Sequence, residues 1–157
     1  PIQSKSGHSF IKQSMREEDA LYGGEMSAHH YFRDFYYCDS GMIPWLLVLE
    51  LMSNSGESLS SMIAQYKKNY PVSGEINRSV KDVTEVIRLI RKEYEKDSVH
   101  IDTTDGISLE FVDWRFNLRA SNTEPLIRLN VESRGDRKLM QLKTEELLSK
   151  IESSYRN

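Results

Sequence analysis

The 157-residue sequence has a single cysteine, Cys38. No disulfide can therefore form within the chain, and the composition suits a reducing compartment. The neighbours of Cys38, Tyr37 and Asp39, offer no cation that would stabilise a thiolate, so a spectator thiol is expected. No apolar run reaches the ~18 residues of a membrane helix, and the N-terminus lacks the character of a signal peptide. A membrane partner is not expected, and a cytoplasmic location is. Repeats and low-complexity segments are missing as well. A strong charge of either sign is also missing: the formal net charge is −3 and the pI about 5.9, which gives no support to a nucleic-acid partner. The chain starts at Pro1 rather than Met, which suggests a fragment or a processed product.

What is present is an ordinary globular composition, 38% hydrophobic and 29% charged, which argues against disorder. Charge is unevenly placed. Residues 113–138 carry Arg115, Arg119, Arg128, Arg134, Arg137 and Lys138 against four acids, so this is the locally basic region of an otherwise acidic chain.

In the first third, residues 8–20 read as a helix with a narrow stripe of Phe10, Ile11 and Met15. Gly23-Gly24 punctuates the chain, and the aromatic-rich stretch 31–37 favours strand. Asp39 or Ser40 then caps a helix, GMIPWLLVLELM, with Pro44 tolerable in its first turn. A helix apolar almost all round is expected to be buried in a larger core. Two helices and a strand cannot cover it, so residues 1–54 are expected to be part of a larger α/β domain. SNSG at 53–56 is the linker candidate.

Beyond it the pattern is regular. Leu59, Met62, Ile63 and Tyr66 fall at helical spacing, and SGEINRSV reads as a short strand. Asp82 and Glu85 open an amphipathic helix through Tyr94. Val99, Ile101 and Thr103 alternate up to the Asp105-Gly106 turn, and Ile107, Leu109 and Phe111 alternate after it. Trp114, Phe116 and Leu118 share one phase, as do Ile127, Leu129 and Val131. Met140, Leu147, Leu148 and Ile151 close the chain as a helix. Residues 55–157 are thus expected to be α+β, an antiparallel four-stranded sheet with helices on one face.

On the polar phase of the hairpin lie Arg115, Asn117 and Arg119, answered by Arg128 and Asn130. Its tip, RASNTEP, gathers Arg119, Ser121, Asn122 and Thr123 before Pro125. A cation with a planar fork, two hydroxyls, an amide and backbone N–H groups suit a tetrahedral oxyanion such as phosphate. The same residues could instead satisfy the turn's own backbone. Neither His29-His30 with Glu25, which lack further ligands, nor the solvated pairs Glu17-Glu18 and Glu145-Glu146 suggest a metal or an acid/base site.

RASNTEP resembles the phosphate-binding loop R-x-S-N-T-x-P of the last domain of the α-D-phosphohexomutase superfamily. GEMSAHHYF, 24–32, resembles the sugar loop G-E-M-S-G-H of its third domain, and KSGHSFIK, 5–12, the K-T-G-H segment preceding that loop. The three occur in the family's order across the whole chain. The resemblance implies the C-terminal part of a phosphomannomutase/phosphoglucomutase: 1–54 the end of the sugar-recognition domain, and 55–157 a phosphate-binding domain with a TATA-binding-protein-like fold. It implies that Glu25 and Ser27 bind sugar hydroxyls, with Met26, Ala28 and His29 completing the loop and His8 reaching the substrate. It also implies that Arg119, Ala120, Ser121, Asn122 and Thr123 grip the phosphate that is not being transferred. Ala28 stands where the family usually has Gly, and His30 and Tyr31 depart from smaller or apolar residues.

The family's phosphoserine loop and its Mg²⁺ loop, D-G-D-x-D-R, have no match in the sequence. The implied parent is an isomerase that interconverts mannose or glucose 6-phosphate and 1-phosphate through a phosphoserine and a bisphosphorylated sugar. Mg²⁺ would belong to the parent, the missing N-terminal domains would be partners, and this chain alone would be inactive. The other reading is a stand-alone phosphosugar-binding module without catalysis.

Overall fold

A computed structural model describes residues 1–121 and 124–153. Its chain divides into two compact units, Pro1–Met62 and Ile63–Asn157.

The first unit opens with α1 (His8–Glu17), followed by three antiparallel strands, β1 (Tyr22–Gly24), β2 (His30–Phe32) and β3 (Cys38–Asp39). Only Ile11, Met15 and Tyr31 are buried, with Ala20 and Tyr37 against them. Gly23 permits this packing. A Cβ there would come within 2.7 Å of the Met15 sulfur and 3.0 Å of Ile11. The stretch 31–37 is strand only through Phe32; Arg33–Phe35 forms a 3-10 turn, and Tyr36 and Tyr37 take positive φ. That reversal carries the chain back as β3, which extended residues could not do.

Helix α2 (Met42–Ser55) begins where the capping pattern placed it, and the Ser40 hydroxyl, rather than Asp39, accepts the Ile43 N–H at 3.2 Å. None of its residues is buried, and Trp45, Leu46, Leu47, Leu49 and Leu51 are exposed. The core expected around this apolar helix is not supplied within the described residues.

Helix α3 (Leu59–Asn69) leads into the second unit. There α4 (Val83–Tyr94) and α5 (Arg137–Ser153) pack on a five-stranded antiparallel sheet of order β4-β8-β7-β6-β5. The strands are β4 (Ile76–Ser79), β5 (His100–Asp102), β6 (Ile107–Glu110), β7 (Trp114–Ala120) and β8 (Leu126–Ser133). The α+β class is as expected. The strand count is five rather than four, with three-residue β5 at one edge and β4 returning to pair with β8 at the other. The carboxylate of Asp82 accepts the Glu85 N–H at 2.9 Å and starts α4. One face of the sheet buries Leu109, Phe116, Leu118, Ile127, Leu129 and Val131 beneath Val86, Ile90, Leu147 and Ile151. Period-two alternation turns Arg115, Asn117 and Arg119 of β7 and Arg128 and Asn130 of β8 to the other face.

Candidate functional site

In the first unit, the loop between β1 and β2 is organised around Glu25. Its N–H donates to the His29 carbonyl (2.9 Å), and its carbonyl accepts from Ala28 (3.0 Å). Ala28 sits at φ 65°, a left-handed conformation that favours glycine, which accounts physically for the usual Gly of the resembling motif. The Glu25 carboxylate accepts from the Ser27 hydroxyl at 2.9 Å and from the Tyr31 hydroxyl at 3.0 Å. Tyr31 is buried, and burial together with Glu25 pushes its phenol up to about 12. It is therefore a firm donor at neutral pH, aiming a carboxylate that keeps further lone pairs for a ligand.

His29 donates through Nδ1 to Asp39 at 2.6 Å, and the other oxygen of Asp39 accepts the His30 N–H at 3.0 Å. Asp39 raises the His29 pKa above its ordinary 6.5, and His29 lowers that of Asp39. The His30 ring hydrogen-bonds the Tyr22 hydroxyl at 2.6 Å instead. The adjacent histidines thus part to different partners, and among the described residues no three His, Cys, Asp or Glu side chains could hold a metal ion. Glu25 and the exposed Met26 edge a cavity of about 330 Å³ lined by Ile11, Met15, Tyr22 and Gly23. The structure therefore brings Glu25, Met26, Ser27, Ala28 and His29 into one loop. His8, the exposed first residue of α1, makes no hydrogen bond or ion pair to that loop among the described residues.

In the second unit, the β7–β8 pairing sets Arg119 directly opposite Arg128 and Ala120 opposite Ile127. Ser121 continues the ladder by donating its N–H to the Leu126 carbonyl at 2.9 Å. The Ser121 hydroxyl accepts from the Glu124 N–H at 3.3 Å and from Arg128 Nη2 at 3.4 Å. Asn122 and Thr123 lie outside the described residues. Arg119 is only 12% exposed, and Gly106 of the β5–β6 turn lies close against its backbone. A Cβ on Gly106 would lie 2.4 Å from the Leu118 carbonyl oxygen and 2.7 Å from the Arg119 Cα.

Opposed cations on adjacent strands repel, and a carboxylate relieves them. Glu75 pairs with Arg119 Nη2 at 3.0 Å through one oxygen and with Arg128 Nη1 at 3.2 Å through the other. Asp105 stands 3.8 Å from Arg119 Nε. Arg128 Nε is buried and has no hydrogen-bond partner among the described residues. A larger hollow of about 540 Å³ lies at the far end of the same strands, beside Arg115, Glu132 and Arg134, and none of the sequence-predicted site residues lines it.

Four participants escaped the sequence reading as site residues: Tyr31, Asp39, Glu75 and Arg128. Arg128 carried a signal, its place on the polar phase of the hairpin. Tyr31 and Asp39 carried none beyond proximity, and Glu75 is joined to Arg119 only by tertiary pairing across 44 residues.

Residues 1–70 match the family model described as phosphoglucomutase/phosphomannomutase, alpha/beta/alpha domain III, and residues 75–149 match that of the C-terminal domain. The chain belongs to the phosphoglucomutase/phosphomannomutase family. It is 63% identical over 149 residues to a phosphomannomutase of Escherichia coli, covering 95% of this chain and 33% of that protein. It is 58% identical over 152 residues to a phosphomannomutase of Vibrio cholerae, covering 96% and 33%. A crystal structure of a phosphoglucomutase/phosphomannomutase family protein from Burkholderia thailandensis superposes with a TM-score of 0.75 at 26% identity, over 98% of this chain and 32% of that one. The chain thus spans about a third of the length of the curated relatives it matches. No helix among the described residues is long and apolar enough to cross a membrane.

Proposed function

We propose that this chain is the substrate-holding part of a phosphomannomutase/phosphoglucomutase, with the sugar loop in its first unit and a phosphate anchor in its second. The observation that carries the reading is the pair of opposed guanidinia at Arg119 and Arg128 with the Ser121 hydroxyl beside them, at the tip of a hairpin in a member of this family. Two planar cations and a hydroxyl match the oxygens of a phosphate monoester. Asn122 and Thr123 extend the donor set, and Ala120 contributes backbone.

In the sugar loop, Glu25 accepts hydrogen bonds from vicinal hydroxyls of the hexose, while Ser27 both orients Glu25 and offers its own oxygen. Met26 and Ala28 shape the loop. Asp39 holds His29 through Nδ1, which leaves Nε2 to face the sugar, and His8 reaches the same ligand. The substrates are mannose and glucose 1- and 6-phosphates.

In the whole enzyme, phosphate would pass from a phosphoserine to the sugar and back after the bisphosphate turns over. An anchor indifferent to which phosphate it holds makes that turnover productive. Phosphoserine and Mg²⁺ would be supplied outside this chain, by N-terminal domains acting as partners, and the residues described here bind and orient. Alone, the chain would bind phosphosugar without turning it over. A cytoplasmic location accords with these substrates.

The test is titration of the isotope-labelled chain with mannose 1-phosphate and, separately, inorganic phosphate, followed by backbone amide shifts. Both ligands should move residues 119–121, and only the sugar should move 25–29. Arg119→Ala should weaken binding by about 2–3 kcal/mol, the cost of one charge-assisted contact. Unchanged affinity would make the loop only a turn.

A further inference from the structure

We propose that Glu75 is the resting counter-anion of the phosphate anchor, and that phosphate binding displaces it. This rests on the anchor reading above and adds a residue that no loop motif contains. The register forces Arg119 and Arg128 to face each other, and both side chains are largely withdrawn from solvent. Such a pair needs an anion at all times. The Glu75 carboxylate spans the two guanidinia, one oxygen to each.

Its delivery is built into the fold. Ser73 donates its N–H to the Val131 carbonyl (2.8 Å) and accepts the Val131 N–H on its hydroxyl (2.9 Å), while Ile76 opens β4 opposite Leu129. Glu75 is fixed between these two anchorages, so its carboxylate meets the guanidinia without a search. Together Arg119, Arg128, Glu75 and Asp105 sum to no net charge. A phosphate dianion entering this cluster must outcompete a carboxylate for the same guanidinium edges. The anchor therefore holds its ligand more weakly than two bare arginines would. A site that must release one phosphate of a sugar and take up the other requires such restraint.

The experiment compares the wild-type chain with Glu75→Gln, Glu75→Asp and Arg119→Ala, using inorganic phosphate as the probe and reading its affinity from the Ser121 amide shift. Removing one negative charge beside the site should tighten phosphate binding about tenfold in Glu75→Gln. Glu75→Asp, which keeps the charge, should stay near wild type. The melting temperature of Glu75→Gln should fall without phosphate and recover more on adding it than wild type gains, by linkage.

Equal or weaker binding by folded Glu75→Gln would overturn the proposal. So would a Glu75→Gln chain that is unfolded and not restored by phosphate, because Glu75 would then be a permanent strut. If Arg119→Ala leaves phosphate binding unchanged, the anchor reading itself fails, which is a separate outcome from a failure at Glu75.

Discussion

Replacing Gly106 by alanine tests whether the β5–β6 turn positions the anchor strand by direct contact. Gly106 lies at φ 77°, and Gly135, at a nearly equal φ of 75°, has nothing within 4 Å of its would-be Cβ. At both positions alanine meets the left-handed penalty of about 1–2 kcal/mol. It recovers about 0.4–1 kcal/mol from the less mobile unfolded chain. Gly135→Ala should therefore cost about 1.6 kcal/mol or less. At Gly106 the methyl would also press on the Leu118 carbonyl and the Arg119 Cα, which are backbone atoms of a paired strand and cannot swing aside. Overpacking of this kind adds about 1–3 kcal/mol, so Gly106→Ala should cost about 1–4.6 kcal/mol, and more than Gly135→Ala by the overpacking alone.

The two tryptophans make the assay specific. Trp114 is buried in the second unit, while Trp45 is exposed on α2 in the first. Urea unfolding of a Trp45→Phe background, followed by Trp114 fluorescence, reports the second unit alone. A difference between the two alanine variants of less than about 0.5 kcal/mol, near the limit of such comparisons, would refute the contact argument.

Three further outcomes are expected. The His29 imidazole should titrate above 6.5 by nitrogen-detected NMR, and Asp39→Asn should bring its midpoint down, since Asp39 is the chief cause of the shift. The stabilisation from this raised pKa is fully present below 6.5 and is lost as pH rises through the folded value. That of Asp39, whose pKa is lowered, disappears as pH falls through its own folded value, so the pair acts between the two. Asp82→Ala should destabilise the second unit by about 1 kcal/mol in urea, the usual worth of a lost N-cap. Leu129→Ala, at a fully buried position of the interior strand β8, should cost about 2–5 kcal/mol by the same assay.

Much of this molecule is readable because its signals are local. Alternation in 114–118 and 127–131 marks the two long strands, and the Asp82 cap marks the start of α4, since side-chain period and capping depend on near neighbours. The GEMSAH and RASNT loops are legible as motifs for the same reason. What escapes is tertiary. Nothing around Glu75 in the chain announces that it bridges two arginines of other strands, and nothing near Asp39 distinguishes a helix cap from a partner for His29. The aromatic run 31–37 misleads as strand because β-propensity does not register the positive φ of Tyr36 and Tyr37. The exposed face of α2 shows the converse: its hydrophobicity describes an environment that the described residues do not provide.

The opposition of Arg119 and Arg128 also bears on how the second unit assembles. The β7–β8 hairpin closes over a short loop, a cheap and early event, whereas Glu75 must arrive from 44 residues away in sequence. Where the hairpin closes first, its two guanidinia face each other without their carboxylate, and an anion from solution would take its place. The refolding rate of this unit should then be higher in phosphate than in chloride at equal ionic strength, and equal rates would refute it.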